Sequence, residues 1–433
     1  MGSTNAPRSG VTRLIDRSSH TAGRPLEQVR LPTCHHRGVR VLLAPDSFGS
    51  SLTAQEAAEA LRTGWSAGAP HDEVSTCPLA DGGPGFVETI HSSLGGRLIP
   101  VTVTGPLGAP VPAVVLLVPA HDEAPSTAYV ETAQVIGLPL VPSDQRDPGR
   151  TTTRGVGELL THARATGAAR VVVGLGGSST NDGGAGMFVS LGLPDAAGRL
   201  GSGGAALAGL LAEDVAGLPE LRREWADVEL VAACDVDVPL LGLQGASAGF
   251  AAQKGASVQQ AQELEAALAH LSRLVGDALR RDERPDLLSG APGAARLAAV
   301  PGAGAAGGLG FGLAALGARL VPGAALVADQ VGLAGRIAEA DVVVTGEGRF
   351  DWQSLHGKVV SEVAARAVPF AVPVVVVAGE VLVGRHELAE AGVAAAYAVA
   401  GAPGEVERAL ADPADTLAAR TVRVARTWSP TPR

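Results

Sequence analysis

The sequence predicts an α/β protein of two α/β domains: a discontinuous, Rossmann-like domain with a parallel sheet, interrupted by a second, mixed α/β domain. Three observations lead to this. Strand-like segments at 39–44, 73–79 and 372–378, the first and last of them apolar runs, alternate with segments of helical spacing near both ends of the chain. Acids and glycines stand directly after the first two strand-like segments, at the carboxyl edge where parallel α/β sheets take ligands. Between about 98 and 300 the texture changes to several short strands followed by longer helices. The expected division is a disordered N-terminal extension over 1–38, an outer domain over 39–97 and 301–425, and an inserted domain over 98–300.

In chain order, the buried run 39–44 leads into the loop Pro45-Asp46-Ser47-Phe48-Gly49, and Thr53 with Glu56 forms a capping box for a helix over 54–65. The strand at 73–79 ends in Ala80-Asp81-Gly82-Gly83-Pro84-Gly85. Short strands at 98–103, 113–118 and 127–131 open the inserted region and are followed by a helix over 155–166. A strand at 170–175 runs into Gly176-Gly177-Ser178-Ser179-Thr180-Asn181-Asp182-Gly183-Gly184. Another, at 229–233, ends in Cys234-Asp235-Val236-Asp237, and Ser257 with Gln260 caps a long helix to about 281. Past the glycine-rich 301–312, strands at 341–345, 372–378 and 394–399 alternate with helices from 358 and near 387.

Composition narrows the function classes. Of 433 residues, 46% are hydrophobic and 18% charged, so the chain has ample apolar material for buried cores. The net charge of −10, with no basic run interleaved with aromatics, excludes an extended nucleic-acid surface. No apolar stretch approaches the roughly 20 residues that span a bilayer. Three scattered cysteines form no disulfide framework, and together with the lack of a secretory signal they fit a cytoplasmic protein. Zinc chemistry lacks ligand spacing, and no segment fits a Walker A loop. Gly302-x-Gly304-x-x-Gly307 matches the dinucleotide fingerprint, but a convincing strand before it and an acid at the right distance after it are missing.

Rarity points to particular residues. Lys and Arg total 34, yet only Lys254 and Lys358 are lysines, each beside a glycine, where a compact ammonium suits a phosphate. Asn181 is the single asparagine outside the N-terminal tail and lies in the glycine-rich run, whose amides suit a phosphate nest. Asp46, Asp81, Asp235 and Asp237 follow strands, as acids holding a phosphate-bound Mg²⁺ would, although each also suits a turn or helix cap. Arg349, in Thr345-Gly346-Glu347-Gly348-Arg349, either grips a substrate carboxylate or pairs with Glu347 or Asp351.

Together with Thr151-Thr152-Thr153, Gln253-Lys254-Gly255-Ala256 and Pro301-Gly302-Ala303-Gly304, these motifs resemble the bacterial glycerate kinase family, type I, in order and spacing over about 39–379. Two positions depart from the family's usual pattern: Gly49 replaces a lysine and Pro84 a glutamate. The resemblance implies ATP-dependent phosphorylation of glycerate, usually at the 2-hydroxyl, in a cleft between two α/β domains. The alternatives are a kinase for another small hydroxy acid and a non-catalytic, regulatory relative. In the implied site Asp182 or Asp46 deprotonates the hydroxyl, Asp235 and Asp237 hold Mg²⁺, Lys254 neutralises the transferring phosphate and Arg349 takes the carboxylate. Ser47, Asp81, Gly82, Gly83, Gly176, Gly177, Ser178, Ser179, Thr180, Asn181, Gly183, Gly304, Glu347 and Lys358 line the substrates. The expected assembly is a monomer or homodimer.

Overall fold

A computed structural model of the chain describes residues 38–121, 124–234, 236–280, 293–355 and 357–429. The expected extension therefore lies, apart from Gly38, outside the described residues. The strands are β1 (Arg40–Leu43), β2 (Glu73–Thr76), β3 (Arg97–Thr104), β4 (Pro110–Val118), β5 (Thr127–Glu131), β6 (Arg170–Leu175), β7 (Glu229–Cys234), β8 (Arg319–Pro322), β9 (Val342–Thr345), β10 (Arg349–Phe350), β11 (Val374–Ala378), β12 (Glu380–Val381) and β13 (Val393–Ala398).

They form a fully parallel sheet in the order β13-β11-β9-β1-β2 and a second sheet in the order β3-β4-β5-β6-β7-β8. The second is antiparallel through β3, β4 and β5 and parallel from β5 to β8. The short β10 and β12 pair as a separate parallel ribbon. Two α/β sheets, one of them split between the two ends of the chain, are thus present as the sequence indicates. Strand β8 extends the middle sheet's residues to Pro322, past the expected boundary at 300.

Alternation of side chains assigns each face of the parallel sheet its partners. Val41, Leu43, Val342, Val344, Val375 and Val377 face the helices Ala54–Gly68 and Pro413–Trp428 through Leu61, Trp65, Leu417 and Val424. These two helices approach closely because Gly64 and Gly68 carry no Cβ; one at Gly64 would stand 2.3 Å from the Ala418 carbonyl. Leu42, Ala44, Val343 and Val374 face the other way, into a core shared with Leu116, Tyr129, Val172 and Val231 of the second sheet. Helices Phe86–Leu94, Gly323–Gln330, Leu333–Ala338 and Val359–Ala367 fill that layer through Val87, Val327, Ile337 and Val363. The far face of the second sheet is covered by helices Arg154–Ala165, Val258–Arg280 and Ala305–Leu316. Both expected caps are made: Thr53 and Glu56 exchange hydrogen bonds, and the Ser257 hydroxyl accepts from the Gln260 amide.

This topology fixes where a ligand goes. From β1 the chain moves one way across the parallel sheet to β2, and from β9 the other way to β11 and β13, so the strand order reverses between β1 and β9. Such a switch point opens a crevice at the carboxyl ends of its strands. The segments leaving β1 and β9 meet there, with the Asp46 amide donating to the Gly346 carbonyl at 2.8 Å.

Candidate active site

The carboxyl edges of the two sheets are joined through glycine. A Cβ at Gly82 would lie 2.5 Å from the Ala233 carbonyl on β7, one at Gly176 would lie 2.5 Å from Gly83 Cα, and one at Gly323 would lie 2.0 Å from the Asp81 carbonyl. The segment Asp81-Gly82-Gly83 therefore crosses the ends of β6 and β7 at backbone contact distance. Gly82 also needs its left-handed φ of 98°. Sequence reasoning gives Gly82 and Gly176 to the substrates; in the structure both serve this joint, and Gly176 and Gly83 also line the cavity beside it.

That cavity holds about 210 Å³. Its wall combines Asp81, Gly83 and Pro84 from one edge, Gly176, Gly177 and Ser178 after β6, Val236 after β7, Phe250, Gln253 and Lys254, the glycine-rich Ala305, Ala306 and Gly307, and Lys358. Both lysines of the sequence face the same small space. Lys254 is buried, and its ammonium donates to Ser178 Oγ at 2.9 Å and to the Thr180 carbonyl at 2.7 Å. Burial brings its pKa down to about 7, against the opposing pull of Asp182. Lys358 stands at the N-terminus of the helix Val359–Ala367.

Three carboxyls gather at the switch-point side. Burial and the neighbouring Asp81 charge hold the part-buried Asp46 well above the usual carboxylate range, with Glu347 adding to the rise and Lys358 opposing it. Ser47 donates its amide to Asp46 Oδ1 at 2.6 Å. Glu347 is pushed up to about 7, chiefly by burial, and its Oε1 is buried without a hydrogen-bond partner.

Several expected site residues are braces. Asp182 is fully buried and does not line the cavity. Its Oδ2 accepts from the Thr153 amide and hydroxyl and the Gly186 amide, and its Oδ1 from the Gly184 amide. Burial raises its pKa against those four bonds, and a carboxylate so engaged ties the loop to Thr153. Ser179 donates to the Ile136 carbonyl, Asn181 Nδ2 donates to Ser247 Oγ, and the Gly183 amide donates to the Gly307 carbonyl. Thr180 supplies the carbonyl that holds Lys254. Gly304 lets its loop pass the Pro239 carbonyl, which a Cβ would approach to 2.2 Å.

Arg349 is exposed on β10, 3.8 Å from Asp351, and is absent from the cavity wall, so the internal ion pair is the arrangement found. Asp235 lies outside the described residues, and Asp237 is exposed. Gly49 adopts a φ of 60° in open space, whereas Pro84 forms part of the wall. A helix, Gly293–Ala299, and no strand, precedes Gly302, which removes the dinucleotide reading of that run.

Gln253, quoted in the sequence only as part of a motif, lines the cavity, and sequence reasoning did not single out Phe250, which also lines it, or Glu131, which accepts the Gly85 and Val87 amides at the start of helix Phe86–Leu94. Glu131 had a signal in its place at the end of an apolar strand. Phe250 had none.

The model of the glycerate kinase family matches residues 41–429. An uncharacterised protein of Mycobacterium tuberculosis (strain CDC 1551 / Oshkosh) is 43% identical over 389 residues, covering 89% of this chain and 91% of the relative. Glycerate 2-kinase of Escherichia coli (strain K12) is 39% identical over 394 residues, covering 90% and 98%. A crystal structure provisionally named glycerate kinase 2, from Salmonella typhimurium LT2, superposes with a TM-score of 0.70 at 38% identity, covering 90% and 98%.

Proposed function

The chain belongs to the glycerate kinase family, and from that premise we propose that it transfers the γ-phosphoryl group of ATP to glycerate at the 2-hydroxyl, giving 2-phosphoglycerate. The observation that carries this reading is the convergence of the only two lysines, Lys254 and Lys358, on one cavity walled by glycine-rich loops. Phosphoryl transfer needs positioning and neutralisation of the phosphate oxygens more than covalent chemistry. Lys254, fixed by Ser178 and Thr180, supplies a positive charge at a set position, and Lys358 supplies one from the opposite sheet. The narrow, glycine-lined wall brings backbone amides close to the phosphates and excludes water around the transfer.

Asp46 is the group we assign to receive the hydroxyl proton. Burial and the charge of Asp81, which lines the cavity, make its carboxylate a stronger base, with Lys358 pulling the other way. Among the described residues, no three His, Cys, Asp or Glu side chains are arranged to hold a metal ion. The donors do suit a Mg²⁺ carried in by the phosphates and held by one or two carboxylates with its own waters. Asp81, the carboxylate in the cavity wall, is placed for this, and Asp237 follows β7 nearby in sequence to that wall. Bound Mg²⁺ would neutralise phosphate oxygens. The two sheets would act as separate domains, with the inserted one ending after β8. We place the reaction in the cytoplasm, where a buried thiol such as that of Cys77 stays reduced.

The test is ADP release with ATP and D-glycerate, with the product identified by NMR. Purified protein should release ADP in a glycerate-dependent manner and form 2-phosphoglycerate. Asp46→Asn should lower turnover by about a hundredfold or more while the melting temperature holds, whereas Asp182→Asn should cost roughly 1–3 kcal/mol of stability through its unsatisfied backbone donors. ADP release that ignores glycerate, or glycerate binding with no turnover, would overturn the proposal.

A further inference from the structure

A second cavity, of about 480 Å³, lies where the chain leaves β13 and enters the two C-terminal helices, Pro403–Ala411 and Pro413–Trp428. Arg408, Arg420 and Arg423 line it with one acid, Glu405, and with Gly401 and Thr416. Glu405 is already engaged, since its Oε2 accepts the Gly401 amide at 2.8 Å. The wall thus carries three guanidiniums to one carboxylate, in a protein whose net charge is −10.

Arg420 is the informative member. Its guanidinium lies 5.5 Å from the centre of the Tyr397 ring, a cation–π contact that fixes its plane, and its Nε is buried with no hydrogen-bond partner. A buried guanidinium donor left unmatched is costly unless something accepts from it. Arg423 makes no ion pair with a described residue, and Arg408 reaches only Glu405, at 3.9 Å. None of these residues belongs to the cavity assigned to phosphoryl transfer.

We propose that this cavity is a binding site for a phosphate monoester. The chemistry matches on charge and geometry. A phosphate monoester carries about −1.5 to −2 at neutral pH, which balances the surplus of two positive charges. Its oxygens accept the planar, two-pronged donation that arginine offers and lysine does not. The volume leaves room for a small organic body beside the phosphate, with the Thr416 hydroxyl and the Gly401 backbone to receive its polar groups. A simple carboxylate would leave one charge unmatched.

The full-length protein is titrated with inorganic phosphate and with glycerol 2-phosphate, by calorimetry and by Trp428 fluorescence. Trp428 is a local reporter because its Nε1 donates to the Tyr397 hydroxyl at 3.2 Å, and Tyr397 carries Arg420. Saturable binding of both is expected, the monoester tighter, with a fluorescence change that Trp428→Phe removes. Arg423→Glu and, separately, Arg408→Glu should weaken binding by about tenfold or more. Both side chains are exposed, so folding and glycerate turnover should be retained. Absence of binding to either probe at tens of millimolar, or binding that both charge reversals leave unchanged, would overturn the proposal. Loss of glycerate turnover in the unaltered protein bears on the reaction assigned above and leaves this site standing.

Discussion

Lys254 shows how one residue couples stability to activity through pH. Its ordinary pKa of 10.5 falls to about 7 on burial. Between about 7 and 10.5 the unfolded chain binds a proton that the folded one has released, so the stability contributed by this residue grows as pH rises through that window and is lost as pH falls towards 7. The charged form is the one that serves phosphate, so activity runs the opposite way. We expect kcat/KM of the native enzyme to decline above an apparent pKa near 7, and Lys254→Arg, which stays protonated, to lose that limb while keeping only part of the activity. Identical pH profiles for the two proteins would refute the assignment. The lysines could be read from the sequence because they are rare. For Asp182 the sequence leaves two roles open, because an acid in a glycine turn looks the same whether it serves as base or brace, and its four donors favour the brace.

At the scale of elements, the glycine-rich segment after Pro301 is a backbone device. Ala306, Gly307 and Gly308 are all left-handed, with φ of 51°, 69° and 87°, before the helix continues to Leu316. This turn lays Gly307 on the other glycine-rich loop, where a Cβ would meet the Thr180 carbonyl at 1.9 Å, the same carbonyl that holds Lys254. Gly108, in the turn between β3 and β4, also has a positive φ of 89° but open space around it. Gly108→Ala should therefore cost only the backbone term of about 1–2 kcal/mol. Gly307→Ala should cost clearly more in denaturant unfolding and should displace Lys254, raising KM for ATP. Equal losses at the two positions would mean that the contact is dispensable. Elements with a clean signature, such as the capped helix Ala54–Gly68, were legible in the sequence. The helix over 305–316 was not, since it is apolar on every side and rich in helix-breaking glycine, and the two-residue β10 and β12 are too short to show a period.

Across the whole molecule, the site exists only because two sheets present their carboxyl edges to one another. The sequence placed acids and glycines after strands correctly, yet could not tell which loops would meet. Gly82 touches Ala233, and Gly176 touches Gly83, across long separations in the chain that no local pattern encodes. The cavity wall then draws Asp81 and Lys358 from one side and Ser178, Lys254 and Gly307 from the other. A ligand that fills it bridges both sheets and stabilises them together, by about 2.7 kcal/mol at a concentration one hundred times its dissociation constant. Hydrogen exchange measured with saturating ADP and 2-phosphoglycerate should accordingly slow at the loops after β1, β6 and β9 and at Ala305–Leu316. The antiparallel β3 and β4, at the outer edge of the second sheet, should exchange as they do in the free protein. Protection confined to the loops of a single sheet would show that the substrates bind one edge without engaging the other, and the assignment of Lys254 and Lys358 to one phosphoryl group would have to be abandoned.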